Sequence, residues 1–198
     1  MAYAIIGFGP VGQALAGMFA RKGLDVMVAS RRPPEDHAAL ANAIGPMVRP
    51  TPLADALQAE TVLLAVPFRQ VDELAAAADW RGKIVVDVTN AYNVPVEELG
   101  GQPSSTVTAG KLKGSRLVKA WNHLAAAKLA LDPAVQGGRR VIFVSSDDAD
   151  AAAEVSALAE RLGFASVGLG GLAEGGALVQ ARGQGWAPLI FQDLVKFA

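Results

Sequence analysis

The 198-residue chain contains no cysteine and only two histidines, His37 and His123. Without cysteine there is no disulfide framework, no thiolate nucleophile and no Cys-ligated zinc. Two isolated histidines form no HExxH-like pair, so no metal site is expected. Charge of one sign is also missing: 18 Lys+Arg balance 19 Asp+Glu. With no long basic or acidic block, neither nucleic acid nor an anionic membrane is expected as the main partner. Long unbroken apolar runs are lacking too. Residues 2–20 carry no charge, but Gly7, Gly9, Pro10, Gly12 and Gln13 interrupt them and no basic segment precedes them. That pattern fits neither a secretory leader nor a membrane anchor. A soluble, cytoplasmic protein is expected.

What the sequence does have is concentrated in residues 2–32. Residues 2–6 form a short apolar run of the kind that makes a buried parallel strand. It is followed at once by Gly7-Phe8-Gly9-Pro10-Val11-Gly12 and then by a helix-period series, Val11, Leu15, Met18 and Phe19. A second strand is expected over residues 24–29. In such a strand–turn–helix unit the first glycine allows the tight turn and the second lets a pyrophosphate approach the backbone. The third lets the helix pack on the strand, whose neighbouring helix N-terminus faces the phosphates. The context therefore points to a dinucleotide.

The end of the second strand discriminates between dinucleotides. An NAD site usually places an acidic residue there, about 20 residues past the glycines, to bind the ribose hydroxyls. This chain has Ser30-Arg31-Arg32. A hydroxyl and two guanidiniums suit a 2′-phosphate through charge-assisted hydrogen bonds, and the expected cofactor is NADP(H).

The rest of the chain continues the alternation. Helices are expected over residues 35–44, 53–58 and 68–78, and strands over 47–49, 61–66 and 83–88. The strand ending in Val66-Pro67 puts a loop at the carboxyl edge of the sheet, where a nicotinamide ribose would lie. Residues 89–114 are too polar and too rich in Gly, Pro and Ser for regular structure throughout, although 106–112 fit a helix. A strand at 116–120 exits into Trp121-Asn122-His123, ahead of an alanine-rich helix at 124–130 that Asn122 is placed to cap. Thr89 and Asn90, at the previous strand's exit, face the same crevice. A strand at 140–145, a helix at 149–162 capped by Ser146 or Asp147, and a strand at 164–167 follow. The tail, from Gly168 on, is too glycine-rich for a good isolated helix. Its glycines imply close backbone approach to a flat ligand or another subunit, and an amphipathic stretch at 189–197 closes the chain. The expected architecture is α/β, a Rossmann-type doubly wound, mostly parallel sheet over residues 1–168. Residues 169–198 add a small C-terminal helical lid or dimerisation segment. A homodimer would cover the apolar tail; a tail folded over the sheet of a monomer is the other arrangement.

The motifs GFGPVGQALA, ASRRP, Val66-Pro67-Phe68, VVDVTN, VKAWNHL and GGLAEGGALVQAR together resemble the coenzyme F420:NADP oxidoreductases, over almost the whole chain. Trp121 and His123 depart from that family's more usual Phe and Thr. The resemblance implies NADP bound by Gly7 to Gly12 and by Ser30, Arg31 and Arg32. It also implies a flat tricyclic acceptor, a deazaflavin or similar molecule, stacked on the nicotinamide with the C-terminal segment closing the pocket. The cofactor-binding set read from the sequence is thus Gly7, Phe8, Gly9, Pro10, Val11, Gly12, Ser30, Arg31, Arg32, Val66, Pro67, Asn90 and Asn122. Hydride transfer to a deazaflavin or flavin needs face-to-face positioning and no strong acid. An imine or carbonyl acceptor needs a proton donor, for which His123 leads and Tyr92 and Lys119 follow. The alternatives are therefore an NADPH-dependent imine or carbonyl reductase related to pyrroline-5-carboxylate reductase, and a module that senses NADPH without turning it over. The former family carries a further helical dimerisation domain, for which the residues after Gly168 are too few.

Overall fold

The computed structural model describes residues 2–181 and 193–197. Six strands, β1 (Tyr3–Ile6), β2 (Val26–Ala29), β3 (Val48–Pro50), β4 (Thr61–Leu64), β5 (Ile84–Asp87) and β6 (Arg116–Ala120), run parallel in the order β3-β2-β1-β4-β5-β6. This is the doubly wound Rossmann order, and its direction of winding reverses between β1 and β4. The strands are near-continuous apolar runs because both of their faces are covered. Tyr3 to Ile6 and Thr61 to Leu64 are buried throughout.

Successive residues of each strand feed opposite cores. Ile5, Leu63, Val86 and Val118 pack with α1 (Pro10–Arg21), α2 (Glu35–Ile44) and, further along the chain, residues 149–161. Ala4, Ile6, Val62, Leu64 and Val85 pack against α3 (Leu53–Ala56), α4 (Val71–Ala77) and the end of α5 (Ser104–Lys111). A short α6 (Ala126–Leu129) follows β6.

Past β6 the sheet changes character. The short β7 (Ala134–Val135) and the long β8 (Gly138–Ser145) pair antiparallel, and β8 also pairs antiparallel with β6. Helix α7 (Ala149–Arg161) leads to β9 (Ala165–Gly168), which lies parallel to β8. A single π-helical turn, Leu172–Gly176, runs into α8 (Ala177–Val179). The described end of the chain is an edge strand, β10 (Val195–Phe197), antiparallel to β8.

Local departures from the sequence expectation have local causes. The helix expected over 68–78 is split into a 3-10 turn, Phe68–Gln70, and α4. The alanine-rich helix of 124–130 shrinks to α6, whose N-cap is Ala125, so Asn122 caps nothing. The cap of α7 is Asp148, which accepts the Ala151 N–H at 2.8 Å; Ser146 instead receives the Asp148 N–H. Within 89–114 there are a 3-10 turn, Val96–Leu99, and α5 from Ser104 onward. The tail is helical over 172–179 and extended over 195–197, while Gly183 to Trp186 and the start of the amphipathic stretch lie outside the described residues. Two of the tail glycines allow close approach to the chain itself. A Cβ on Gly175 would stand 2.3 Å from the Leu169 carbonyl oxygen and 2.6 Å from Ser145 Oγ, and one on Gly176 would stand 2.8 Å from Ser105 Oγ.

Candidate functional site

The glycine turn lies between the ends of β1 and β4. Gly7 has φ +100°, and a Cβ there would come within 2.3 Å of the Ala65 carbonyl oxygen. A Cβ on Gly12 would lie 1.9 Å from the Gly7 carbonyl oxygen, so this glycine sets how closely α1 seats on β1. Gly9 is different: among the described residues nothing lies within 4 Å of where its Cβ would be. It is the N-cap of α1, with Pro10 at the first helical position and no acidic residue in the first turn. The positive end of that helix is therefore left uncompensated beside open space, which fits a pyrophosphate.

Two cavities open from this turn and meet at Gly9 and Val66. The first, about 320 Å³, is bounded by Gly7, Phe8, Ser30, Arg31 and Arg32. Its other wall comes from α3, the end of the 3-10 turn and α4: Leu53, Gln70, Glu73, Leu74 and Ala77. Ser30 Oγ accepts the Arg32 backbone N–H at 3.0 Å and sits 2.7 Å from His37 Nε2. His37 is buried, and its ring meets Phe8 edge-on at 5.4 Å. Burial, then the Arg32 charge, hold its pKa below the ordinary imidazole value, with Asp36 opposing. The Arg31 guanidinium is exposed and lies 3.9 Å from Glu73 across the cavity mouth. An apolar wall facing two guanidiniums and a hydroxyl fits an adenosine bearing a 2′-phosphate.

The second cavity, about 440 Å³, is lined by Pro10, Val11, Pro67, Thr89, Asn90, Tyr92, Trp121 and Asn122, among others. Its floor is tied together by amides. Asn90 Nδ2 donates to the Asn122 carbonyl at 2.7 Å, and Asn122 Nδ2 donates to Asn90 Oδ1 at 3.1 Å and to the Val179 carbonyl at 2.8 Å. The Ala181 N–H also reaches Asn90 Oδ1, so the tail joins the same knot. Under it lies a buried ion pair, Lys119 Nζ to Asp87 Oδ2 at 3.1 Å, both side chains fully enclosed. Lys119 also donates to the Thr89 carbonyl, and Asp87 Oδ1 accepts the Thr89 N–H. The strand-end carboxylate and ammonium thereby shape the 89–90 turn. Trp121 occupies the wall with φ +56° and is fully buried. Such backbone strain in a bulky residue tends to gather at ligand sites.

Of the cofactor-binding set read from the sequence, all but Gly12 line one cavity or the other. Gly12 sits behind the turn. His123, the leading proton donor on the sequence, is corrected: it does not line the crevice. Its ring is 2 % exposed, tilted on Phe143 at 4.9 Å, with Nε2 3.2 Å from the Val141 carbonyl. Burial lowers its pKa to about 4, so it is neutral and turned away. Lys119 is likewise no proton donor to a ligand, because it is sealed beneath the floor. Tyr92 does line the cavity; partial burial raises its phenol pKa, a hydrogen bond with Asn90 opposing.

The α4 wall escaped the sequence reading. The signal was present: Gln70, Glu73, Leu74 and Ala77 follow one another at helical spacing and so share a face.

Residues 2–91 match the family described as NADP oxidoreductase, coenzyme F420-dependent. The chain is similar to the solved structure of a hypothetical protein from Sinorhizobium meliloti, with 39% identity and a TM-score of 0.90 over 99% of this chain and 96% of the other. It is also similar, at 27% identity and a TM-score of 0.71, to an Arthrobacter protein provisionally described as an F420-dependent NADP-reductase, with 90% of each chain covered. Metalloreductase STEAP3 of Rattus norvegicus is 29% identical over 174 residues, which are 85% of this chain but only 34% of that protein. The chain thus spans about a third of the length of this curated relative. With the glycine turn, the arginine pair and the doubly wound order in place, residues 2–91 of the chain are those of the coenzyme F420-dependent NADP oxidoreductase family.

Proposed function

We propose that the chain transfers a hydride between NADP(H) and a deazaflavin such as coenzyme F420, or a flavin-like acceptor, bound in the second cavity. The bound nicotinamide supplies or receives the hydride. Gly9 and the start of α1 hold the pyrophosphate, Ser30, Arg31 and Arg32 hold the 2′-phosphate, and Val66 and Pro67 border the passage to the reacting end.

The observation that carries the reading is the chemistry of the second lining. Among the described residues it offers hydroxyl, amide, phenol and indole groups beside apolar ones, but no carboxylate, imidazole or ammonium. Such a wall positions a flat ring and leaves the developing charge to the acceptor's own conjugated system. A ketone or imine needs a proton donor within hydrogen-bond reach. Only the Tyr92 phenol among these residues answers to that.

The test is NADPH oxidation followed by absorbance, with oxidised coenzyme F420, FMN, riboflavin and pyrroline-5-carboxylate as acceptors and NADH as control cofactor. Turnover with the deazaflavin or a flavin, unchanged by Tyr92→Phe, is expected. Turnover with the imine alone, lost in Tyr92→Phe, would replace this reading with general acid catalysis. Tight NADPH binding with no turnover would mark a sensor.

A further inference from the structure

Ser30 stands at the cavity wall with two nitrogens already upon it: the Arg32 N–H at 3.0 Å and His37 Nε2 at 2.7 Å. A hydroxyl has one proton and two lone pairs. Arg32 takes one lone pair in every case. His37 then decides the rest. With the ring proton on Nε2, the imidazole fills the second lone pair and the hydroxyl's own proton must point away from both partners, into the cavity. With the proton on Nδ1, the hydroxyl donates back into the ring and shows the cavity a lone pair instead.

These two arrangements are not equivalent to a ligand. A dianionic phosphate offers only acceptor oxygens, so it favours the first and is repelled by the second. A ribose hydroxyl both donates and accepts, and is satisfied by either. We propose that His37 is a positioning residue for cofactor choice: it turns the Ser30 proton toward the 2′-phosphate and thereby raises the preference for NADPH over NADH. This rests on the reading of Ser30-Arg31-Arg32 as the phosphate clamp.

The imidazole is well placed for that task. It sits in the first turn of α2, nearly inaccessible to water, with the Phe8 ring against it at an interplanar angle of 77°. Phe8 belongs to the glycine turn, so the ring is wedged between the two segments that hold opposite ends of the adenosine diphosphate. The charged groups acting on it are Arg32 and Asp36. Its lowered basicity leaves a single ring proton at neutral pH, and a phosphate at Ser30 selects which nitrogen carries it.

The test is titration of NADPH and NADH, each followed by its fluorescence, against the wild type, His37→Leu, His37→Gln, Ser30→Ala and the Ser30→Ala/His37→Leu double variant. His37→Leu is expected to weaken NADPH roughly tenfold, the size of one hydrogen bond to a charged group, while NADH changes less than twofold. His37→Gln, whose amide N–H reaches the same oxygen, should recover most of the loss. In the Ser30→Ala background, His37→Leu should cost nothing further. Equal weakening of both cofactors, unchanged NADPH affinity, or the same loss without Ser30 would overturn the role of His37. A wild type that binds both cofactors alike would overturn the clamp itself, and the role of His37 with it.

Discussion

Asn90 and Asn122 hold each other by a reciprocal pair of hydrogen bonds, at 2.7 Å and 3.1 Å, across 32 residues of sequence. They join the exits of β5 and β6, and through Val179 and Ala181 they carry the tail as well. Asn122→Leu leaves the Val179 carbonyl without its amide donor. It should lower stability by about 1–3 kcal/mol, the cost of an unsatisfied buried polar group, measured by urea unfolding. In steady-state kinetics KM for the acceptor should rise more than KM for NADPH. A rise confined to NADPH would assign this floor to the cofactor.

Two glycines of the same motif should fail in different ways. A Cβ on Gly12 meets a backbone carbonyl at 1.9 Å, whereas one on Gly9 meets nothing among the described residues. Gly12→Ala is expected to lose several kcal/mol of stability through overpacking. Gly9→Val should fold with near-native stability and lose NADPH binding, because its side chain fills the pyrophosphate approach. Thermal unfolding and NADPH titration on both variants separate the two roles.

Glu73 faces Arg31 at 3.9 Å over the mouth of the first cavity. Arg31→Ala should weaken NADPH by about 1.5–3 kcal/mol, as for a hydrogen bond to a charged group, and spare NADH. Glu73→Gln should act in the opposite direction, tightening NADPH severalfold by removing a carboxylate from beside the phosphate. Isothermal titration at low and high salt would check both, since the Glu73 effect is exposed and must fade as salt rises.

His123 predicts an acid-sensitive fold rather than an acid-sensitive reaction. Its pKa falls from the usual 6.5 to about 4 on burial. Between those values the unfolded chain binds a proton that the native state does not, so the stabilising contribution present above pH 6.5 is lost as pH falls, fully below about 4. The loss is on the order of 3 kcal/mol, since each tenfold drop in proton affinity is worth about 1.4 kcal/mol. His123→Phe should flatten that segment of the stability profile and leave the pH dependence of kcat unchanged. A shifted kcat profile would bring the imidazole back to the reaction.

The parts of this molecule legible in the sequence are those whose chemistry is local. Tyr3 to Ile6 and Thr61 to Leu64 read as buried strands because both faces of a parallel sheet demand apolar residues, and the glycine turn carries its own steric logic. Ser30, Arg31 and Arg32 were readable because their distance from that turn fixes their place. Asn122 misled because an amide before an alanine-rich run has the form of a cap; its real partners, Asn90 and Val179, are 32 and 57 residues away. His123 misled for a related reason. Strand exits face the crevice, yet the third residue past β6 has already turned back into the core against Phe143. Lysine is by type an exposed residue, and only the register of β5 against β6, which sets Asp87 beside it, explains the burial of Lys119.

The narrow meeting of the two cavities has an evolutionary consequence. Among the described residues they share only Gly9, which has no side chain, and Val66. On the proposed reading, mutations that retune coenzyme preference at the exit of β2 therefore have almost no common ground with mutations that reshape the acceptor's chamber at the exits of β5 and β6. One end can drift toward a new redox partner while the other stays under constraint. An engineer seeking a different coenzyme would work on one end of this protein without reopening the other.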